Sequence, residues 1–402
     1  MDLSYELRHD YDDDGTALDG VREKVMPLDE PPFTFGIEEE YHLVDCTTGD
    51  LAPAPPALMS ACEAALGGQF SPEFLRSQVE VGTRPTKSFA GAREELDRLR
   101  STVGRLAAEH GLAPVAVGTH PFGRASELMP TDKARYRELA GDLAGVGRRL
   151  SICGMHVHVG IGDSELRIDL MNQMRYFLPH LLVLSTSSPF WEGEDTGLKS
   201  YRLAVMRELP RTGLPGRLSS WDEYSGVVDV LVKAGVIEDA SKIWWDIRPS
   251  SRYPTLEMRI TDVCTRSADA LAVAALYVCT CRMLWRLRRQ NQSWRTYPVF
   301  LLEENRWRAQ RYGVGGALFD FGKAALVSFA DLLEELLALV GEDADALGCT
   351  AEIAHARTIV AGGTSADRQT AAYTTAVAGG CDHGAALRAV VDQLIMETQA
   401  CA

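Results

Sequence analysis

Carboxylate, imidazole and guanidinium side chains recur at alternate positions in four short stretches of the chain. The stretches are FTFGIEEEYHLV (33–44), SQVEVGT (77–83), GMHVHVG (154–160) and TLEMRIT (255–261). Residues two apart in a β-strand point to the same side. Each stretch therefore predicts a strand with one apolar face and one reactive face. The reactive faces carry Glu38 and Glu40, Glu80, His156 and His158, and Glu257 and Arg259.

Such alternation in a single strand is also typical of an antiparallel sheet with one solvated face. Solvated faces usually mix Lys, Thr, Ser and Gln, whereas these four strands supply mainly Glu and His. Like charges on neighbouring strands repel each other unless a cation lies between them. Taken together, the four stretches favour a polar concavity that binds metal.

The ligand types indicate which metal this concavity binds. Oxygen-rich sites with an imidazole suit Mg²⁺ or Mn²⁺, whereas zinc prefers more His and Cys. The carboxylates exceed what one magnesium ion needs, so we expect two or more ions on a triphosphate. Arg259 is placed to stabilise charge on a transferring phosphoryl group. Glu39 faces the apolar side of its strand, so we expect a structural ion pair there.

The elements that position these groups alternate without a strict βαβ rhythm, which favours an α+β fold with helices on one side of an antiparallel sheet. Residues 1–32 are acidic and end in Pro31-Pro32, which predicts a solvated leader. We expect one catalytic unit over 33–402, with a sheet-based core to about 322 and a helical part over 323–402.

Composition limits the functional classes. The chain has 402 residues, 46% hydrophobic and 24% charged, as in ordinary globular proteins. A net charge of -15 argues against binding to nucleic acid or to an anionic membrane surface. No apolar run of about 18 residues or signal peptide is evident, and nine scattered cysteines suit a reducing compartment. We expect a cytoplasmic protein, with a homodimer as the default assembly.

Several further motifs occur in a fixed order with these strands. They are GTHPF, SSPFWEGEDTGLKSYR, WWDIRPSSRYPTLEMRITDVC, ENRWRAQRYG and GTSADRQ. With FGIEEEYHLV, SQVEVGT and GMHVHVG, this set resembles the carboxylate–amine ligase family related to glutamate–cysteine ligase. The resemblance runs from about Phe33 through the helical C-terminal part. The Glu-x-Glu, Met-His-x-His and Glu-x-Arg elements are also similar to those of glutamine synthetase.

The resemblance implies a curved, mainly antiparallel sheet of the glutamine synthetase and guanido kinase type, with helices on its convex face. Its concave face would bind ATP and magnesium. The implied metal ligands are Glu38, Glu40, Glu80, His156 and Glu257. The implied phosphate contacts are His158, Arg248, Arg252 and Arg259, with Glu257 and Arg259 catalytic. The implied substrate contacts are Arg202, Tyr136 and Thr119, although Thr119 and His120 equally suit a turn before Pro121.

The implied chemistry joins a carboxylic acid to an amine. The carboxylate attacks the γ-phosphate of ATP, and the amine then displaces phosphate from the acyl phosphate. Glutamate and cysteine are the default substrates. The alternatives are another acid and amine of specialised metabolism, a kinase on the same type of sheet, a metal-dependent hydrolase, and a binding protein without catalysis.

Overall fold

The computed structural model describes residues 29–124, 128–132, 141, 143–147 and 149–400. From Pro31 onward, the described residues form one compact unit. Most of the predicted acidic leader lies outside the described residues. The division of the chain into a leader, a core and a helical part therefore stays a prediction.

The described part of the chain alternates short strands with helices. The strands are β1 (Phe35–Asp45), β2 (Phe70–Pro72), β3 (Gln78–Gly82), β4 (Leu112–Val115), β5 (Met155–Gly160), β6 (Phe190–Trp191), β7 (Glu194–Asp195), β8 (Thr212–Gly213), β9 (Trp244–Trp245), β10 (Ile247–Pro249), β11 (Thr255–Met258), β12 (Ala317–Asp320) and β13 (Ala325–Ser328). The helices are α1 (Pro56–Leu66), α2 (Phe89–Ala108), α3 (Ser164–Met174), α4 (Leu178–Ser185), α5 (Arg202–Met206), α6 (Trp221–Lys233), α7 (Ser267–Arg289), α8 (Val299–Tyr312), α9 (Phe329–Leu347), α10 (Thr350–Gly362), α11 (Ser365–Ala378) and α12 (His383–Gln399).

The main sheet has seven strands in the order β10-β11-β5-β1-β3-β2, with β4 paired to the second half of β1. Every pair in it is antiparallel. The four stretches with alternating reactive groups form β1, β3, β5 and the region of β11. The predicted α+β fold, with an antiparallel sheet and a helical C-terminal part, is confirmed.

The apolar face of the sheet forms the core. Residues such as Ile37 of β1 and Val157 of β5 are almost completely buried. They belong to one hydrophobic cluster with Leu96 of α2 and Val278 of α7. Burial of this apolar area supplies most of the driving force that holds the helices against the sheet. The reactive side chains are therefore left on the opposite face.

Glu39 is the exception on the apolar face of β1. Its carboxylate is fully buried and accepts hydrogen bonds from Nη2 and Nε of Arg100 in α2, at 2.6 and 2.9 Å. The Arg100 guanidinium also donates to the backbone carbonyls of Cys264 and Thr265. The predicted structural ion pair at Glu39 is thus present, and it ties the sheet to α2.

Helix α7 has the length and apolar character of a membrane span, but 83% of its 18-residue apolar window is buried inside the protein. That burial is typical of the central helix of a globular core.

At the C-terminal end, the β12–β13 hairpin occupies part of the region expected to be helical, because Asp320 accepts backbone hydrogen bonds from Gly322 and Lys323 and forms a turn. The uninterrupted helices begin at Phe329.

Candidate active site

The reactive face of the sheet forms the wall of a cavity of about 1220 Å³. Strand register explains how the groups meet across it: Glu40 lies opposite Glu80, and Glu38 lies opposite His156. His158 lies opposite Glu257. The sequence-predicted residues that line the cavity are Glu38, Glu40, Glu80, His156, His158, Arg202, Arg248, Arg252, Glu257 and Arg259.

The acidic and imidazole groups form three overlapping clusters whose ligand atoms lie within 4.8 Å of one another. The clusters are Glu38, Glu80 and His156; Glu38, His158 and Glu257; and Glu40, Glu73 and Glu80. Each could hold a cation. Glu38 and Glu80 each belong to two clusters, so each could contribute to holding a cation in either cluster.

Glu73 is a member of these clusters that the sequence reasoning missed. It follows the short strand β2, in which Ser71 pairs with Glu80. Because alternate residues share a face, Glu73 extends toward the same side as Ser71 and Glu80. The three-residue strand Phe70–Pro72 is too short for a periodic pattern to reveal it. The available sequence signal was that Ser71 and Glu73 are two residues apart, which is the spacing of one strand face.

The carboxylates shift each other's protonation. Burial raises the pKa of Glu80 well above its ordinary value, and repulsion from Glu73, Glu38 and Glu40 raises it further. Burial also acts to raise the pKa of Glu38, but the neighbouring imidazoles of His156 and His158 outweigh it and hold the pKa well below its usual range. Several carboxylates thus lie close enough to repel one another, and a bound cation would relieve that repulsion.

The two histidines offer nitrogens for a metal. Nε2 of His156 and Nε2 of His158 are buried and have no hydrogen-bond partner among the described residues. They lie 3.9 Å from Oε1 of Glu40 and 3.4 Å from Oε2 of Glu38, respectively. Burial and Arg259 lower the pKa of His156, which favours the neutral imidazole that ligates metals. A donor set of carboxylate oxygens with imidazole nitrogens therefore fits Mg²⁺ or Mn²⁺.

Glu257 is held between two arginines. Nε and Nη2 of Arg248 donate to its two oxygens at 2.8 and 3.2 Å, and Nη1 of Arg259 donates to Oε1. Although burial acts to raise the pKa of Glu257, Arg259 and Arg248 lower it far below its ordinary value. The remaining Nη1 of Arg248 donates to the carbonyls of Ser241 and Ile243. Arg248 is thus positioned as a clamp on Glu257, which differs from the expected contact with phosphate.

Arg202 reaches the cavity from the start of α5, where its guanidinium packs against Gly154 at the entry to β5. A Cβ atom at Gly154 would collide with this guanidinium, which explains why glycine precedes MHVHVG. Nη1 and Nη2 of Arg202 donate to the carbonyls of Ile260 and Arg259 at 3.4 and 3.3 Å. Its buried Nε has no partner within the described part of the chain, which leaves a donor for a ligand.

Two other predicted residues, Thr119 and His120, lie outside the described lining of the cavity. The hydroxyl of Thr119 donates to the carbonyl of Phe190 at 2.7 Å. His120 is buried, with Nε2 donating to the carbonyl of Gly49 at 2.9 Å. Both contacts belong to the turn that the sequence equally allowed. Tyr136 lies outside the described residues.

An aromatic wall closes another side of the cavity. Trp221 and Tyr224 of α6 line it, with ring centroids 5.1 Å apart. Trp244 also lines the cavity, whereas Trp245 packs against the core. The sequence assigned neither of the paired tryptophans and gave no role to Trp221 or Tyr224.

Comparison with known proteins gives close relatives over almost the whole chain. A protein of Rhodospirillum rubrum, provisionally named glutamate–cysteine ligase 2, is 59% identical over 376 residues, covering 92% of this chain and 97% of that protein. One of the same name in Paracoccus denitrificans is 53% identical over 369 residues, covering 92% and 98%. Among solved structures, the glutamate–cysteine ligase of Francisella tularensis in complex with AMP has a TM-score of 0.67 at 12% identity, covering 92% of this chain and 90% of that one.

These relatives and the shared fold define the protein as an ATP-dependent carbon–nitrogen ligase. The family model for glutamate–cysteine ligase family 2 matches residues 34–393. The chain belongs to that family.

Proposed function

We propose that this protein joins the side-chain carboxylate of glutamate to the amine of cysteine through an acyl phosphate. The observation that carries the proposal is the set of three carboxylate and imidazole clusters beside Arg259 on one wall of a large cavity. The curated relatives bear the name of this activity. AMP in the similarly folded Francisella structure supports a nucleotide site in the same fold.

Magnesium is the proposed cofactor, with manganese as a substitute. Glu38, Glu40, Glu80, His156 and Glu257 would hold it, and Glu73 joins this set on geometric grounds. Bound cations would neutralise phosphate oxygens and so reduce their repulsion of an incoming carboxylate. Burial and then repulsion from the neighbouring carboxylates raise the pKa of Glu80, and the repulsion supports such a role because a cation would relieve it.

The protein's own residues would position the reacting groups. Arg259 lies beside Glu257 and within 3.4 Å of Nδ1 of His156, so its remaining donors can face a transferring phosphoryl group. Arg252 lines the cavity and is exposed, which leaves it available for phosphate. Arg248 would act through Glu257, by holding that carboxylate ionised and in place.

The proposed reaction has two steps. A carboxylate oxygen of the acid attacks the γ-phosphorus of ATP, the bond between that phosphorus and the bridging oxygen breaks, and ADP leaves. The amine nitrogen then attacks the acyl carbon, the bond to the phosphate oxygen breaks, and the nitrogen loses a proton. Preorganised charge and positioning supply the rate enhancement.

The cysteines bear on the compartment in which the protein works. Eight cysteines among the described residues are free thiols, and six of them are buried. That pattern is consistent with a reducing compartment. We therefore propose a cytoplasmic enzyme that acts on small molecules and ATP, and homodimer formation stays a prediction.

A panel of acids and amines with ATP and Mg²⁺ tests the function, read by ADP release and product mass. Glutamate with cysteine should give one ADP per dipeptide, with ADP release dependent on both. Accumulation of a phosphorylated acid without any amine requirement would identify a kinase. Turnover without ATP would identify a hydrolase, and preference for another pair would reassign the substrates.

A further inference from the structure

Arg167 is a buried cation in the cavity that forms no ion pair with a described side chain, although the carboxylate of Asp163 favours its charged form from beyond ion-pair distance. It lies near the start of α3, is 8% exposed, and lines the cavity. Its Nε is buried without a hydrogen-bond partner there. Within the described residues, its side chain forms no hydrogen bond or ion pair, and its defined contact is the ring of Trp221.

The other cations of the cavity with little exposed surface each lie within 4.0 Å of a carboxylate, as Arg202 does of Asp262. Arg248 and Arg259 are paired with Glu257. Lys242 is paired with Glu238 at 3.3 Å. A buried charge without a partner is costly, so it is usually retained where a ligand completes the pair.

The position of the Arg167 guanidinium is set by its neighbours. Its central carbon lies 4.9 Å from the ring centroid of Trp221. The backbone N–H of Trp221 donates to both carboxylate oxygens of Glu165, which lies on the same helix as Arg167. This bond ties Trp221 to the helix that carries Arg167, so the ring and the guanidinium are held together. A guanidinium that stacks on a ring keeps the N–H groups at its edge free to donate hydrogen bonds.

We propose that Arg167 binds the non-reacting carboxylate of one of the two substrates of the ligase reaction. The inference rests on the proposed function and adds a recognition site to it. In the proposed function, phosphate oxygens are bound by cations in the three clusters and by Arg259 and Arg252. A planar carboxylate, by contrast, matches the fork of a guanidinium. The acid and the amine each carry such a carboxylate, and the experiment separates these two sources.

The experiment compares each substrate with its analogue that lacks the non-reacting carboxylate. The analogues are 4-aminobutyrate for glutamate and cysteamine for cysteine. In the wild-type enzyme, kcat/KM should fall roughly 30-fold or more for one analogue. Arg167→Gln should lower kcat/KM for the matching natural substrate by a similar factor and leave its analogue unchanged. The KM for ATP should stay within about twofold.

Two further variants separate binding from structure. Arg167→Lys keeps the charge without the fork and should restore part of the lost kcat/KM. Arg211→Gln is the matched control, because Arg211 stacks on Trp244 at 5.4 Å but lies outside the described lining of the cavity. It should keep wild-type discrimination between substrate and analogue.

Natural-substrate KM values within about twofold of wild type in Arg167→Gln would overturn the inference. So would a rise confined to the KM for ATP, or an equal loss for substrate and analogue. Inactivity of the wild-type enzyme with every acid–amine pair would instead overturn the proposed function. In that case, the Arg167 site is tested by the shift in thermal midpoint that glutamate or cysteine causes. One of the two should raise the thermal midpoint of the wild-type protein but not that of Arg167→Gln. Equal shifts in the two proteins would reject the Arg167 site.

Discussion

Glu39 and Glu40 are adjacent in the chain, but their carboxylates lie on opposite faces of the sheet. Glu39 is buried against Arg100 of α2, whereas Oε2 of Glu40 accepts a hydrogen bond from the backbone N–H of Gly154 at 2.6 Å and borders the cavity. One step along a strand therefore separates a group that holds the fold from a group available to ligands. Substitutions at these positions should have different consequences.

Glu39→Gln should destabilise the protein by about 3–5 kcal/mol, because it leaves Arg100 buried without its counterion. The measurement is the free energy of unfolding in urea. Glu334→Gln is the matched control, since its bidentate pair with Arg357 is exposed and screened by solvent, so its loss should destabilise the protein much less. Equal losses in the two variants would contradict the structural role of Glu39.

Glu38→Gln should weaken the response of activity to Mg²⁺ with little change in stability. Glu38 belongs to two of the cation clusters, so its loss should raise the Mg²⁺ concentration for half-maximal turnover by at least about 10- to 100-fold. Titration of ADP release with Mg²⁺ measures this shift, and the thermal midpoint reports folding. Glu63→Gln, on an exposed part of α1, is the control. An unchanged Mg²⁺ requirement would argue against the proposed metal site.

Gly154→Ala should displace Arg202, because the added Cβ would occupy the position of its guanidinium. We propose Arg202 as a substrate contact, and misplacing such a group by about 1 Å can cost roughly 100-fold, so kcat/KM for the acid or the amine should fall by that order. Gly162→Ala is the control, since nothing described lies within 4 Å of a Cβ there. The measurement is steady-state kinetics with each substrate varied in turn. Wild-type kcat/KM values for Gly154→Ala would contradict a role for Arg202 in contacting substrate.

Stability should fall on acidification partly through His180. This imidazole is buried among the aromatic rings of Tyr176, Phe177 and Phe329, and burial lowers its pKa to about 4 from 6.5. As the pH falls, His180 is therefore protonated at a higher pH in the unfolded chain than in the folded protein. The contribution of neutral His180 to the free energy of unfolding is complete above pH 6.5 and is lost as the pH falls toward 4. The loss amounts to roughly 3 kcal/mol.

Urea unfolding at several pH values measures this dependence. A His180→Gln variant should show a shallower loss of stability between pH 6.5 and 4 than wild type. The control is His110→Gln, which removes an exposed imidazole. Parallel pH profiles for wild type and His180→Gln would contradict the prediction.

Alternation along the strands is sufficient to sort side chains by face from the sequence alone. It predicts Glu38 and Glu40 on one side of β1 and Glu39 on the other, and the structure has all three there. This succeeds because the period of a strand is a local property of the backbone. The order of the motifs, rather than any one of them, indicates the ligase family.

The partners of each strand were decided by the tertiary structure. Glu257 and His158 lie opposite each other although they belong to distant parts of the chain, which no local rule could predict. Likewise, the register of β2 brings Glu73 to Glu80, and the packing of α3 places Arg167 in the cavity. Arg248 turns to Glu257 for the same reason, since the register places them opposite each other.

The sequence by itself determined which side chains share a face, the class of metal they suit and the family to which the chain belongs. The tertiary structure alone decided which of them meet, which charges are paired and which face the cavity. The physical reason is that backbone periodicity is local, whereas register and burial depend on how distant segments pack to exclude water.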